Sequence, residues 1–183
     1  MQKFILFLLS CFIVVFVFLG TAILHFYNTK SVTIKKYPQK MKITSPAFEN
    51  QQKIPTKYTC SGESINPPLE FSDIPANAKT LALVVDDPDA PNGDFVHWIV
   101  YNIDPTTKSV AENSKPSVRE GYNSIGKPGY IAPCPPSGTH RYFFKLYALA
   151  IMLDGHTLDK TALEGEMKGH ILDQAELIGL YSK

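Results

Sequence analysis

The stretch DDPDAPNGDFVHWIVY, Asp86 to Tyr101, joins the ends of two predicted strands through a polar turn. An apolar run from Leu81 to Val85 precedes it and predicts a buried strand. Alternating residues from Phe95 to Ile103 predict a second strand. The Asp, Pro, Asn and Gly residues between the two runs favour a turn. If the strands pair as antiparallel neighbours, the end of the first and the start of the second lie at one edge of a sheet.

Polar side chains flank the turn between these two strands. Asp87 and Asp89 follow the first strand, and His97 lies near the start of the second. Loops held at strand ends commonly carry binding groups. The sequence therefore predicts that two carboxylates and an imidazole meet at one edge of the sheet.

A second stretch, PCPPSGTHRYFFKLYAL, Pro133 to Leu149, has the same organisation. A loop rich in Pro and Gly leads into a predicted strand. Because side chains alternate along a strand, His140 and Tyr142 share a face with Phe144 and Leu146. If this strand begins at the same edge, His140 and Tyr142 converge with the two carboxylates and the first imidazole.

Three motifs in this order, DPDAP from Asp87, FVHW from Phe95 and PCPPSGTHRY from Pro133, resemble the phosphatidylethanolamine-binding protein family. The similarity is greatest to the bacterial branch often called Raf kinase inhibitor-like proteins. It covers roughly residues 41 to 181. Further phrases agree with the bacterial pattern: YTCSGESINPPLEFSDIP at 58 to 75, GYNSIGKPGY at 121 to 130 and GHILDQAELIGLY at 169 to 181.

The resemblance implies a mainly β fold with short C-terminal helices, an antiparallel sandwich-like arrangement. It also implies a small surface pocket that takes an anionic group, typically the phosphate of a phospholipid head group. The positions that match the family's pocket are Asp87, Asp89, His97, Pro135, His140 and Tyr142. Some members of the family inhibit kinases or proteases, which leaves a protein ligand open. We predict binding rather than catalysis, with no cofactor and no metal.

The residue types at these positions suit that ligand. Imidazole N–H and phenol O–H groups can donate to phosphate oxygens. A carboxylate beside a histidine fixes the ring's tautomer and favours the imidazolium. Since Asp87 and Asp89 would repel a bare phosphate, we expect them to orient the histidines or to meet an ammonium. Phosphoethanolamine, a zwitterion, would satisfy both charges, and the prolines would fix the pocket walls.

Two other classes of function remain open. The Asp and His residues could hold a metal and activate water in a hydrolase, although no HExxH motif and no evident nucleophile–base pair is present. A structural envelope protein with a vestigial pocket is the other alternative. Ala132, where the family usually has Gly, favours it, because Ala would strain a position that needs a positive φ or would narrow the pocket.

The N-terminal region is almost wholly apolar from Phe4 to Leu24, long enough to span a bilayer as a helix. A cleavable signal peptide is one alternative interpretation. A lipoprotein signal ending at Cys11 is another, which is disfavoured because the apolar run before Cys11 is short and continues beyond it. We assign residues 1–27 to a signal anchor or signal peptide, residues 28–40 to a linker and residues 41–183 to the binding domain.

Two features of the sequence favour opposite sides of the membrane for the domain. Lysines after the apolar segment favour the cytoplasm. The family resemblance brings Cys60 and Cys134 near the pocket in two loops, where they form either a disulfide or two free buried thiols. A disulfide requires an oxidising compartment. Together with an export signal, it leads us to predict a periplasmic or other extracytoplasmic location.

Composition adds limits of its own. The chain has 183 residues, 44% of them apolar and 19% charged, with a net charge of +1. One globular domain with an appendage fits this length, and the absence of a strong basic field argues against nucleic acid as a partner. Residues 104 to 128 predict a long loop. A helix is expected from Thr161, which has capping-box spacing to Glu164, and a second short helix from Ile171 to Ile178.

Overall fold

The computed structural model describes residues 40–114, 118–154 and 157–183. Within these ranges no helix is both long and apolar enough to span a bilayer. The predicted anchor or signal segment, residues 1–27, and nearly all of the predicted linker lie outside the described residues, so both stay predictions.

The described residues form two sheets and one α-helix, and the prediction of a mainly β fold is confirmed. The elements in chain order are β1 Lys42–Thr44, β2 Gln52–Lys53, a 3₁₀ turn Thr56–Tyr58, β3 Leu69–Ser72, β4 Thr80–Asp87, β5 Phe95–Ile103, β6 Ser109–Val110, β7 Arg119–Glu120, β8 Thr139–Leu149, α1 Lys160–Met167 and β9 Ile171–Ser182. A three-stranded sheet has the order β1-β3-β6, and a six-stranded sheet has the order β2-β9-β8-β4-β5-β7.

Strand β4 lies at the centre of the larger sheet, between β5 and β8, and both pairings are antiparallel. Every residue of β4 is buried. A strand covered on both faces needs apolar side chains on both, which explains the continuous run from Leu81 to Val85. The last residues of β4 pair with residues near the start of its two neighbours, Asp87 with Phe95 of β5 and Asp86 with Phe143 of β8. The predicted meeting of three strand ends at one sheet edge is therefore confirmed.

Each face of the larger sheet has its own core. On one face, Leu81, Leu83 and Val85 pack with Phe71 of the smaller sheet, which gives the two-layer arrangement. On the other face, Ala82, Val84 and Ile99 pack with the helix residues Leu163 and Met167. Burial of this apolar surface is the main stabilising term for such a fold.

A β-bulge at His97 interrupts the alternation of β5. Val85 pairs with Trp98, but the next residue, Asp86, pairs with Val96, so His97 is the extra residue on its strand. Trp98 belongs to the core on the smaller-sheet side, and the ring of His97 lies 5.2 Å from that of Tyr142 in the same core. The bulge thus puts two consecutive side chains on one side, as bulges near binding sites often do.

The predicted helix from Ile171 to Ile178 is wrong. These residues belong to β9, which pairs with β8 from Thr139–Ser182 to Leu149–Ile171. Burial near its end follows a period of two, with Leu177, Gly179 and Tyr181 buried. The apolar residues at 171, 172, 175 and 178 also fit one face of a helix, and the long partner strand β8 decides between the two structures.

The other predicted helix is present, with a different N-terminus. It begins at Lys160, and the side chain of Asp159 caps it by accepting a 2.8 Å hydrogen bond from the Ala162 N–H. The predicted capping box of Thr161 and Glu164 is therefore not what starts this helix. The predicted loop from 104 to 128 contains the short edge strands β6 and β7.

Candidate ligand-binding site

A buried carboxylate–imidazole pair lies where β4 ends and β8 begins. Asp87 Oδ2 is 2.7 Å from His140 Nδ1, and both residues are buried. Because a carboxylate accepts, the hydrogen lies on Nδ1, and the pair fixes the orientation of the ring. The other oxygen, Oδ1, accepts the Asp89 N–H at 2.9 Å and holds the start of the loop. Asp87 therefore orients a histidine, one of the two roles that its position predicted.

Asp89 holds Arg141 rather than a histidine. Its two carboxylate oxygens accept from Arg141 Nη2 at 2.7 Å and from Nε at 2.8 Å, and Oδ2 also accepts the Arg141 N–H. The Arg141 guanidinium lowers the pKa of the Asp89 carboxyl to about 2. The pair is exposed and lies at the rim. The expectation that Asp89 would orient one of the histidines is wrong, since Arg141 engages both of its oxygens.

His97 is a buried and largely neutral imidazole. Its Nδ1 is 2.7 Å from the carbonyl oxygen of Ile131, and the Ile131 N–H donates to the His97 carbonyl at 2.9 Å. Burial lowers the pKa of His97, although the Ile131 carbonyl and Asp87 act in the opposite direction. The expectation that a nearby carboxylate favours an imidazolium is therefore wrong for His97, because desolvation of the charged ring outweighs the carboxylate.

Tyr142 brings an unsatisfied hydroxyl to the same place. The residue is fully buried, its ring is in edge contact with that of His97, and its hydroxyl has no hydrogen-bond partner among the described residues. The Cys134 N–H is close enough to the phenol oxygen to lower the pKa of Tyr142 slightly, but it does not make a hydrogen bond of normal geometry to it. Burial first, and then Asp87, raise the pKa of the Tyr142 phenol. The hydroxyl thus stays protonated and is a free donor.

The loop before β8 is fixed by a covalent bond. Cys60 and Cys134 form a disulfide with a Cα–Cα distance of 5.4 Å, and the Cys60 N–H donates to the Pro133 carbonyl. Pro135, which follows Cys134, is buried in this loop. Ala132 is buried and does not have a positive φ, so the backbone strain expected at that position is absent.

Comparison with known proteins identifies the family of this chain. A family model described as phosphatidylethanolamine-binding protein matches residues 44–182. The chain is 45% identical over 150 residues to a UPF0098 protein of Methanothermobacter thermautotrophicus, covering 78% of this chain and 99% of the relative. It is 46% identical over 149 residues to a UPF0098 protein of Chlamydia muridarum, covering 78% and 99%. The chain belongs to the phosphatidylethanolamine-binding protein family.

Two solved structures are similar to the phosphatidylethanolamine-binding protein fold seen here. One is a phosphatidylethanolamine-binding protein homologue from Chlamydia trachomatis, with a TM-score of 0.77 and 45% identity, covering 79% of this chain and 98% of the other. The second is YbcL of Escherichia coli, described as a member of the mammalian family, with a TM-score of 0.72 and 26% identity, covering 79% and 99%. Both agree with a mainly β fold.

This family member also has a buried charge cluster on the opposite face of β4. Asp86 is fully buried, and its Oδ2 accepts from Lys145 at 2.8 Å and from Lys160 at 2.6 Å. Lys160 also contacts Asp94 in the turn before β5. Although burial lowers the pKa of Lys160, the hydrogen bonds to Asp86 and Asp94 raise it overall. The cluster ties helix α1 to the sheet and to the turn behind the site.

Sequence reasoning did not predict three contributors to the site region. The Ile131 carbonyl and the Asp86–Lys160 contact were missed, and a backbone carbonyl leaves no signal in the sequence. Arg141 alternates to the face opposite His140, which favours a surface salt bridge, but the sequence did not identify Asp89 as its partner.

The described surface cavities do not coincide with the predicted pocket of this family member. One, of about 380 Å³, is lined by Lys145, Tyr147 and Glu176 among others, and a second, of about 400 Å³, by Trp98, Glu120 and Tyr130 among others. Neither includes a predicted ligand residue. A small anion is held by a few precisely placed polar groups, and the residues of the predicted pocket include such groups.

The described parts of the chain contain no set of side chains that suits metal coordination. No group of three or more His, Cys, Asp and Glu residues there is arranged to hold a metal ion. At the predicted site the reason is local: Arg141 engages both oxygens of Asp89, and the Nδ1 atoms of both histidines already donate. The hydrolase alternative therefore gains no support from the geometry.

Proposed function

We propose that this protein binds a small phosphate-bearing ligand, such as phosphoethanolamine, at the site formed by Asp87, His97, His140 and Tyr142. The observation that carries the proposal is the buried, unpartnered hydroxyl of Tyr142 beside two histidines of fixed orientation. A buried hydroxyl without a partner costs roughly 1–3 kcal/mol of stability. A ligand that accepts from this hydroxyl would recover that loss. Binding without catalysis fits the description of the matching family model, phosphatidylethanolamine-binding protein.

His140 is the second expected contact to the ligand. Its Nδ1 is held by Asp87, which leaves Nε2 without a partner among the described residues. When the ring is protonated, Nε2 donates as well, and the buried Asp87 carboxylate balances the charge. Asp87 and Asp89 already accept hydrogen bonds with every carboxylate oxygen, so the proposal places the phosphate, rather than an ammonium, at the main contacts.

Titration calorimetry of the protein tests the proposal. Phosphoethanolamine and inorganic phosphate are injected separately, with chloride at equal ionic strength as the control for general screening. We expect saturable binding at a single site for both phosphate ligands and none for chloride. No saturable heat with either phosphate ligand, together with unchanged melting temperature in their presence, would contradict the proposal and favour a vestigial pocket.

We also propose that the domain works in an oxidising, extracytoplasmic compartment. Its support is the Cys60–Cys134 disulfide, since such bonds persist mainly outside the cytoplasm. Thiol alkylation in intact cells, before lysis, would test this. Rapid modification of both cysteines would contradict the proposed location. A partner kinase or protease stays a prediction from the family resemblance.

A further inference from the structure

The hydrogen bonds of His97 determine which of its ring nitrogens carries a proton. Nδ1 lies 2.7 Å from the Ile131 carbonyl oxygen. A carbonyl oxygen only accepts, so the hydrogen lies on Nδ1. In the neutral ring, the other nitrogen, Nε2, then presents a lone pair and can only accept.

The structure holds this tautomer in place. The Ile131 N–H donates back to the carbonyl of His97, so the two residues are joined by main-chain as well as side-chain bonds. The ring is packed between Phe95 and Tyr142, at centroid distances of 4.9 and 5.2 Å. A proton transfer from Nδ1 to Nε2 would break the bond to Ile131 and leave two buried acceptors face to face, which is unfavourable.

The groups that face His97 decide its charge. Burial opposes the imidazolium and lowers the pKa of the ring. The carboxylates of Asp87, Asp86 and Asp94 and the Ile131 carbonyl favour the imidazolium, but together they do not offset burial. The Tyr142 phenol beside the ring is neutral. The ring is therefore mainly neutral near pH 7.

The site thus combines an acceptor with a donor. His97 Nε2 has no partner among the described residues, and it is not among the side-chain atoms that are both buried and unpaired, so it keeps some exposed surface. The Tyr142 hydroxyl is a donor without a partner. A fully deprotonated anion such as sulfate can satisfy Tyr142, but it places an acceptor against the lone pair of His97. A phosphate group with a P–OH donates to His97 and accepts from Tyr142.

We propose that this site selects phosphate groups that carry a proton, from inorganic phosphate or a phosphate monoester, over sulfate and over phosphodiesters. This inference rests on the proposed function of the same site. It identifies His97 as the residue that determines specificity, because its fixed tautomer requires a donor on the ligand. A lipid head group in its diester form has no P–OH and is discriminated against.

Calorimetric titration of the protein at pH 7, where His97 is mainly neutral, with four ligands tests this selection. Inorganic phosphate keeps a P–OH at this pH, and phosphoethanolamine keeps one in a minority of its molecules because its second pKa is about 6. Sulfate and glycerophosphoethanolamine have none. Sulfate is the decisive control because it has the tetrahedral shape of phosphate without the added bulk of a diester. Since a mismatched buried acceptor costs about as much as a lost hydrogen bond, phosphate should bind about tenfold more tightly than sulfate, or better.

Proton uptake gives a second measurement that steric fit does not change. Sulfate avoids the mismatch when His97 becomes an imidazolium, so its binding should take up more protons than that of phosphate, by up to about one. Titrations in buffers of different ionisation enthalpy give this number. Equal affinity for phosphate and sulfate would overturn the inference while leaving the proposed function intact. No binding of any of the four ligands would overturn both.

The variant His97→Gln identifies the residue responsible. A glutamine amide can rotate to offer either its oxygen or its N–H group, so the preference for phosphate over sulfate should fall to within about twofold. His170→Gln, at an exposed histidine outside the site, is the matched control and should keep the wild-type ratio. An unchanged ratio in folded His97→Gln would overturn the assignment to this residue. If this variant does not fold, the difference in proton uptake between sulfate and phosphate binding to the wild-type protein tests the inference instead.

Discussion

The Asp89–Arg141 pair gives the rim of the site a defined response to acid. The Arg141 guanidinium holds the pKa of the Asp89 carboxyl at about 2, below its ordinary value of 3.8. Because the folded-state pKa is the lower one, the charged carboxylate stabilises the fold above about pH 4, and this contribution is lost as the pH falls from about 4 to about 2. The pair is exposed, so its contribution is below about 1 kcal/mol.

The variant Asp89→Asn should show this pH dependence. Between pH 4 and pH 2, the free energy of unfolding of the wild type should fall relative to that of the variant, as measured by urea unfolding at each pH. The control is the same substitution in an Arg141→Gln background, where no guanidinium lowers the pKa and the difference should be small. A wild-type advantage that is constant across this range would contradict the assignment.

Residue roles in the site were predictable from sequence to different degrees. Asp87 and His140 were predicted to converge because they lie at ends of strands whose apolar runs could be recognised. The pairing of Asp89 with Arg141 was not predicted, because it depends on how the turn at 88–94 folds over the start of β8. The neutral state of His97 depends on burial, which a single motif does not reveal.

Strand β9 has a glycine where packing leaves no room for a side chain. Gly179 pairs with Tyr142 across the sheet. A Cβ at this position would overlap the side chain of Ile54 and lie 2.9 Å from the ring of Phe48. Neither side chain can move freely, since both are in the core. The glycine therefore allows the segment before the 3₁₀ turn to pack directly on the strand that supports Tyr142.

The variant Gly179→Ala should lower the free energy of unfolding by about 1–3 kcal/mol, because the added methyl group overpacks the core. Gly165→Ala is the matched control. Gly165 lies in helix α1 with open space around it, so alanine should stabilise the protein by about 0.5–1 kcal/mol. Urea unfolding of both variants measures the difference. Equal effects at the two positions would contradict the close packing described for β9.

Strands β4, β5 and β8 could be predicted because each combines a clear apolar pattern with turn residues at its start or end. Strand β9 could not, since its apolar residues fit a helix as well as a strand and only the pairing with β8 resolves the choice. The bulge at His97 was also missed. An alternating pattern with one extra residue differs little from regular alternation in a sequence of nine residues.

At the scale of the whole molecule, the disulfide joins two loops that are 74 residues apart in sequence. Closing so long a loop restricts the unfolded chain and can stabilise the folded state by up to about 4 kcal/mol. We expect reduction with dithiothreitol to lower the melting temperature measured by circular dichroism. The variant Cys60→Ser/Cys134→Ser, treated with the same reductant, is the control and should not change. Equal sensitivity of both proteins would contradict a stabilising role for the bond.

The binding site depends on this whole assembly, since its residues come from β4, β5 and β8 and from the loop that the disulfide holds. Replacing His140 by Ala is a poor test of binding, because it would leave the buried Asp87 carboxylate without its partner and weaken the fold as well. Tyr142→Phe avoids this problem. It removes only a hydroxyl that has no partner in the folded protein.

The most direct test of the account is therefore the affinity of Tyr142→Phe for inorganic phosphate, measured by titration calorimetry beside the wild type. We predict that affinity falls about tenfold or more, because a hydrogen bond to a charged ligand is lost. The melting temperature without ligand should be unchanged or higher. Unchanged affinity in the variant, with saturable phosphate binding in both proteins, would place the ligand elsewhere on the molecule and contradict the account.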